Sequence, residues 1–171
     1  MTRGRVTFTA TIDHICDQLE LKEKEMFGFS DKQDGDRRVR KALDELGLKY
    51  EVDNAGKFKF IFELDGGRSQ MGFITSDTQE FAGIEMRELF SVGLKTNGEF
   101  PAAVANMLLK ENEKVKIGAW EVIEGSNGDH FALFNAKIAA EVPAKVLAPV
   151  ILGVLKVADK MEERLTNEDN F

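Results

Sequence analysis

Between Leu48 and Leu64 the apolar residues fall on alternate positions, and this period of two constrains the fold more than any other feature of the chain. Leu48, Tyr50 and Val52 alternate with polar residues, Asn54-Ala55-Gly56 supplies a turn, and Phe58, Phe60, Phe62 and Leu64 resume the alternation. Successive side chains of a strand point to opposite faces, so the phenylalanines of the second run share one face of a sheet. Two such runs joined by a glycine turn form an antiparallel hairpin. Asp65-Gly66-Gly67 turns the chain again, into an expected third strand over Arg68–Thr75. Ile84–Val92 reads as a fourth strand, although Ile84, Arg87 and Glu88 also fit a helix.

Helical spacing brackets this region. Ile12, Ile15, Cys16, Leu19 and Met26 predict a first helix, with Thr9 or Thr11 as its N-cap, and Phe27–Asp36 reads as a loop. Val39, Ala42, Leu43 and Leu46 form the stripe of a second helix that stops at Gly47. Pro101 opens a third helix running to about Asn112, with Val104, Met107 and Leu108 inward. Strands are expected near Val115–Glu124 and His130–Ala140. A last helix over about Ala144–Leu165 either starts at Pro149 or is kinked by it. The order is helix, helix, four strands, helix, two strands, helix. Short turns between consecutive strands predict an α+β fold, an antiparallel sheet with its helices on one face. No linker divides the chain, so one domain over 31–171 is expected, preceded by an N-terminal helical extension over 1–30.

The last helix is apolar around most of its circumference. Leu147, Ile151, Val154, Ala158, Met161 and Leu165 form one stripe, which is expected to lie on the sheet. Val146, Val150 and Val157 widen it on one flank, and Ala148, Leu152 and Leu155 on the other, to an arc of about 240°. A surface helix needs only about 100°. Either neighbouring helices of the same chain, the N-terminal ones, cover the flanks or a second subunit does; the second is expected, making a two-fold homodimer.

Charge excludes one class of partner. The 171 residues carry a net charge of −7, and non-specific nucleic-acid affinity comes from lysine and arginine. The basic run Arg37, Arg38, Arg40 and Lys41 is flanked by Asp34, Asp36, Asp44 and Glu45, the pattern of a solvated helix face. No nucleic-acid partner is expected. Cys16 is the single cysteine, consistent with a reducing compartment. The apolar stretch Val146–Leu155 is too short to span a bilayer, and the first residues hold no signal-like run, so a cytoplasmic protein without membrane contact is expected.

No constellation specifies a reaction. His14 stands near Asp13, Cys16 and Asp17, but His14 and Cys16 are two apart and diverge on a helix. His130 reads as structural. Asp31–Ala42 fails as a calcium loop, with glycine one place early and alanine where the bidentate glutamate belongs. Gly67–Gly72 lacks the spacing of a serine-hydrolase elbow, and no phosphate-binding glycine loop is present. Glu85 with Glu88, or Glu121 with Glu124, are pairs that 30 acidic residues produce by chance. No metal, cofactor or catalytic residue is expected.

From Ala42 onward the chain carries, in order, ALDELGLKYEVDNAGKFKFIFEL, GGRSQMGFI, IEMRELFSVG, ANMLLKENEKVKIGAWEV, VADKMEERL and DNF. This series resembles the bacterial YbjN family and its type III secretion chaperone-like relatives. The resemblance implies a helix-first α+β fold, frequently a homodimer, in proteins described as sensory transduction regulators or chaperone-like binders of other proteins. Arg68, Ser69, Gln70, Trp120, Asp159 and Glu162 fall on the shared motifs. They read as polar strand pairs, a core aromatic and an acid pair on a helix surface, or as the polar edge of a partner-binding surface. The expectation is a non-catalytic, dimeric, chaperone-like or regulatory protein-binding domain, with Arg68, Gln70, Leu152 and Leu155 as candidate partner-binding residues. The alternative is an enzyme built from scattered carboxylates with Arg68 or Arg87.

Overall fold

In a computed structural model of the chain, residues 34–166 and 169–171 are described. The expected first helix, with Cys16 and His14, lies outside them. Helix α1 (Arg37–Glu45) starts where Asp36 accepts a hydrogen bond from Arg38 N at 2.7 Å. It ends at Gly47, whose positive φ of 67° lets Gly47 N reach Asp44 O and Leu48 N reach Leu43 O. Val39, Ala42 and Leu43 are its buried stripe.

The strands follow as β1 (Glu51–Val52), β2 (Phe58–Glu63), β3 (Ser69–Ile74), β4 (Gln79–Phe81) and β5 (Ile84–Asn97). Helix α2 (Ala102–Asn112) leads to β6 (Ala119–Glu124) and β7 (Asp129–Ala139), and α3 (Ala144–Thr166) closes the order. Ile84–Val92 is strand, as read from the sequence, and the strand continues to Asn97. Pro101 is the N-cap of α2 and stands one residue before the helix. Pro149 neither starts nor ends α3, which runs through it from Ala144. The sequence reading missed β4, so five strands precede α2 where four were expected. Phe81 pairs with Ile84 around a two-residue turn in which Ala82 adopts φ 53°.

Every strand pair is antiparallel, in the order β1-β2-β3-β5-β7-β6, with β4 paired to the start of β5. After β5 the chain crosses through α2 to the far edge, lays down β6, and returns as β7 between β6 and β5. Strand alternation then sorts the core. Phe58, Phe60, Ile74, Leu89, Leu94, Ala132 and Phe134 face Leu43, Leu108, Leu147, Ile151, Val154, Leu155 and Ala158. All three described helices pack on this one face. Each large aliphatic side chain buried there contributes roughly 1.5–3 kcal/mol.

The stripe Leu147, Ile151, Val154, Ala158 and Met161 is buried, but Leu165 is 39 % exposed. It sits in the last turn of α3. Gly93 fixes how closely α3 approaches. It occupies a register shift in β5 between Val92 and Leu94, and Trp120 lies over it, edge-on to Phe134. A Cβ on Gly93 would stand 2.5 Å from Trp120 Cη2 and 3.3 Å from Ala158 O.

Candidate partner-binding face

The residues of the sheet that point away from α3 form a second apolar cluster of Met71, Phe73, Phe90, Val92, Phe131 and Leu133, all of them buried. Phe73 and Phe90 stack with ring centroids 5.0 Å apart. Among the described residues, Ile123 and Phe171 pack against this cluster. By register, Ile61 lies on the same face, opposite Met71, and it is 57 % exposed. Ile84 shares the parity of Phe90 on β5, which places it and its cross-strand partner Phe81 on this face as well. Phe81 is 74 % exposed and Ile84 54 %. Charged groups border the cluster: Lys57 lies over Phe90, Lys95 over Phe131, and Lys137 pairs with Glu88. At the β6 margin Glu121 accepts a hydrogen bond from Asn135 Nδ2 at 2.8 Å, and burial pushes its carboxyl up from the ordinary range.

Beside this face, β3 and β5 part company. They are paired at Phe73–Phe90 and Ile74–Leu89. Toward Ser69 the strands are joined instead by side chains. Gln70 Nε2 donates to Ser91 Oγ at 2.8 Å and to Val92 O at 2.7 Å, and Ser91 Oγ donates to Met71 O at 2.6 Å. The segment Asp169–Phe171 takes up the backbone amides of β3 here. Ser69 N donates to Asp169 Oδ1 at 3.2 Å and Met71 N to Phe171 O at 2.5 Å.

Arg68 anchors the same corner. Its Nε donates to Asp159 Oδ1 at 2.5 Å, and its guanidinium lies 3.4 Å from Glu162 and 3.8 Å from Asp169. Asn170 N donates to Glu162 Oε1 at 2.6 Å. The carboxylates of Asp159, Glu162 and Asp169 all lie within 4.8 Å of one another. Burial raises the Glu162 pKa, and Asp169 adds to the rise against the pull of Asn170 and Arg68. The hydrogen bond to Asp159 in turn raises that of Arg68. The three carboxylates share this one guanidinium, so the group is a clasp between β3 and α3 with more acid than base.

The four residues singled out from the sequence therefore have different fates. Arg68 is half-buried in the clasp, and Leu152 is half-buried on the flank of α3. Gln70 and Leu155 are wholly buried and present no surface, because the first bridges two strands and the second packs beneath α3 near Gly72. Asp159 and Glu162, read as a helix-surface acid pair, are buried against Arg68. Sequence reasoning placed all three on shared motifs without pairing them, since 91 and 94 residues separate Arg68 from its partners.

The two carboxylate pairs singled out from the sequence are split between the faces of the sheet. Three positions apart on a strand, Glu85 and Glu88 face opposite sides, as do Glu121 and Glu124. Arg87 is buried, with Asp36 Oδ2 at 2.8 Å and Thr75 O at 3.0 Å as its acceptors. Within the basic run, Arg38 pairs with Asp36 and Glu85, and Arg40 hydrogen-bonds Asp34 O. His130 Nδ1 lies 3.3 Å from Gly128 O in its own turn. Among the described residues no helix is long and apolar enough to cross a membrane. No family model matches the chain, and no characterised protein matches it in sequence.

Proposed function

We propose that the chain is a non-catalytic protein-binding domain, a dimeric chaperone-like or regulatory adaptor that receives a partner protein on the sheet face opposite α3. The observation that carries this reading is the coexistence on one face of the Met71–Phe73–Phe90 cluster with exposed Ile61, Phe81 and Ile84. Large apolar groups left in water beside an apolar sheet face are what a protein partner covers. Lys95 and the Lys137–Glu88 pair supply the polar rim such interfaces carry. The ordered motifs that resemble the YbjN family support the same role, as a sensory transduction regulator or chaperone-like binder. A cytoplasmic site of action belongs to this proposal. So does a homodimer through the flanks of α3, where Val146 is exposed and Val150, Leu152 and Val157 are half-buried.

Site-specific photocrosslinking in the native cell tests it. A benzophenone amino acid at Ile61 is expected to yield a discrete adduct with another protein. The same group at Leu109, on α2 and 65 % exposed, is expected to yield none. Identical adduct patterns from the two positions, or no adduct from Ile61, would overturn the reading.

A further inference from the structure

We propose that the slot beside β3, at the amides of Ser69 and Met71, is a binding site for an extended segment of a partner protein. That segment would carry an acidic residue followed two positions later by an aromatic one, and Asp169–Phe171 occupies the slot in cis. The inference rests on the reading of this face as protein-binding and names the partner's chemistry.

Three features of the site define the ligand. Beyond Phe73 the hydrogen bonds of β3 are no longer taken by β5, so the Ser69 and Met71 amides require acceptors from elsewhere. Asp169 Oδ1, a side-chain acceptor, and Phe171 O, a backbone one, supply them where an added strand would supply backbone carbonyls. The guanidinium of Arg68 stands 3.8 Å from Asp169, selecting a carboxylate at the first position. The Phe171 ring packs on the cluster of Met71, Phe73 and Phe90, selecting an aromatic at the third.

Two further features make the cis occupant exchangeable. Asp169, Asn170 and Phe171 are each only half-buried. Asp169 also brings a carboxylate to a corner where Asp159 and Glu162 already share Arg68, all within 4.8 Å. The cis segment thus gains from Arg68 and from the hydrogen bond of Asn170 N to Glu162, while its Asp169 carboxylate is opposed by that of Glu162.

Fluorescence anisotropy with a labelled peptide of residues 166–171, blocked at both ends, tests the slot. The receptor is the full chain carrying Asp169→Ala with Phe171→Ala. A cis segment competes at an effective concentration of order millimolar, so the variant is expected to bind the peptide at least about ten-fold more tightly than the wild-type chain. The same peptide with Phe171→Ala is expected to lose that binding. Should the double variant not fold, as read by circular dichroism, the single Phe171→Ala chain takes its place. Absence of binding to a folded variant, or equal binding to variant and wild type, would overturn the proposal. Dissociation of a wild-type dimer by Phe171→Ala would also overturn it, by showing that the segment passes between copies. An Ile61 adduct that persists while the peptide fails would sink the slot and leave the protein-binding reading standing.

Discussion

Asp36 holds two structures together, and replacing it separates their energies. Its carboxylate caps α1 through Arg38 N at 2.7 Å and pairs with the buried guanidinium of Arg87 at 2.8 Å. Burial alone would raise its pKa, but the hydrogen bonds from Arg38 and Arg87 override that and hold it far below the usual carboxylate range. Asn caps a helix as well as Asp does. Asp36→Asn therefore keeps the cap and removes the charge, leaving Arg87 buried with Thr75 O as its remaining acceptor. Stranding a buried charge costs about 3–5 kcal/mol, whereas the exposed Arg38 pair adds little, since Arg38 keeps Glu85. We expect Asp36→Asn to lose about 3 kcal/mol, and Asp36→Ala about 1 kcal/mol more for the cap. Arg87→Met in the Asp36→Asn background should recover most of the charge term. The assay is urea unfolding followed by the emission of the single tryptophan, Trp120, which is 5 % exposed and packed against Phe134. At a slope of about 2 kcal/mol per molar, the Asn variant's midpoint should fall by roughly 1.5 M. An Asp36→Asn protein within about 0.5 kcal/mol of wild type would refute the argument, because Arg87 would then not depend on that carboxylate. The sign with pH follows from the depressed pKa: the contribution is complete above the unfolded value of about 3.9 and is lost only as pH falls through the lower folded value.

Gly93→Ala should destabilise by about 1–3 kcal/mol and shift Trp120 emission, because the new methyl meets the indole at 2.5 Å. Ile151→Asp should prevent folding by burying an unpaired charge at a position 2 % exposed, whereas Leu152→Asp should leave circular dichroism unchanged and yield monomers by light scattering. A wild type that is monomeric at high micromolar concentration would refute the dimer. Glu121→Gln keeps the acceptor for Asn135 Nδ2 but cannot ionise. Since burial raises the Glu121 pKa, the wild type loses stability as pH rises from the unfolded through the folded value, and the variant's advantage should therefore grow from pH 4 to pH 7. Equal pH profiles from urea titrations would contradict this.

Local pattern carried much of the fold. The alternation at Phe58, Phe60, Phe62 and Leu64, the stop at Gly47 and the turn at Asp65-Gly66-Gly67 are all encoded within a few residues of where they act. Strand β4 left no such mark, because Gln79–Phe81 is short and its apolar end stays in water. Leu165 continued the helical stripe yet is 39 % exposed, since periodicity describes a helix without saying which of its turns a neighbour covers. The candidate site was the least legible part. Gln70 was picked for its place on a shared motif and Leu155 for the flank of the last helix, but burial of a polar amide depends on acceptors on another strand, here Ser91 and Val92, 21 and 22 residues away.

The sequence by itself determined the class of structure, an antiparallel sheet with helices to one side, because side-chain period, caps and turns are local and additive. Tertiary structure decided which strands meet and where they part. The insertion of β7 between β5 and β6, the loss of β3–β5 pairing beyond Phe73, and the joining of Arg68 to Asp159, Glu162 and Asp169 all bring distant residues together. Such contacts are selected only by how the whole sheet buries its two faces, and no window of neighbouring residues contains that information.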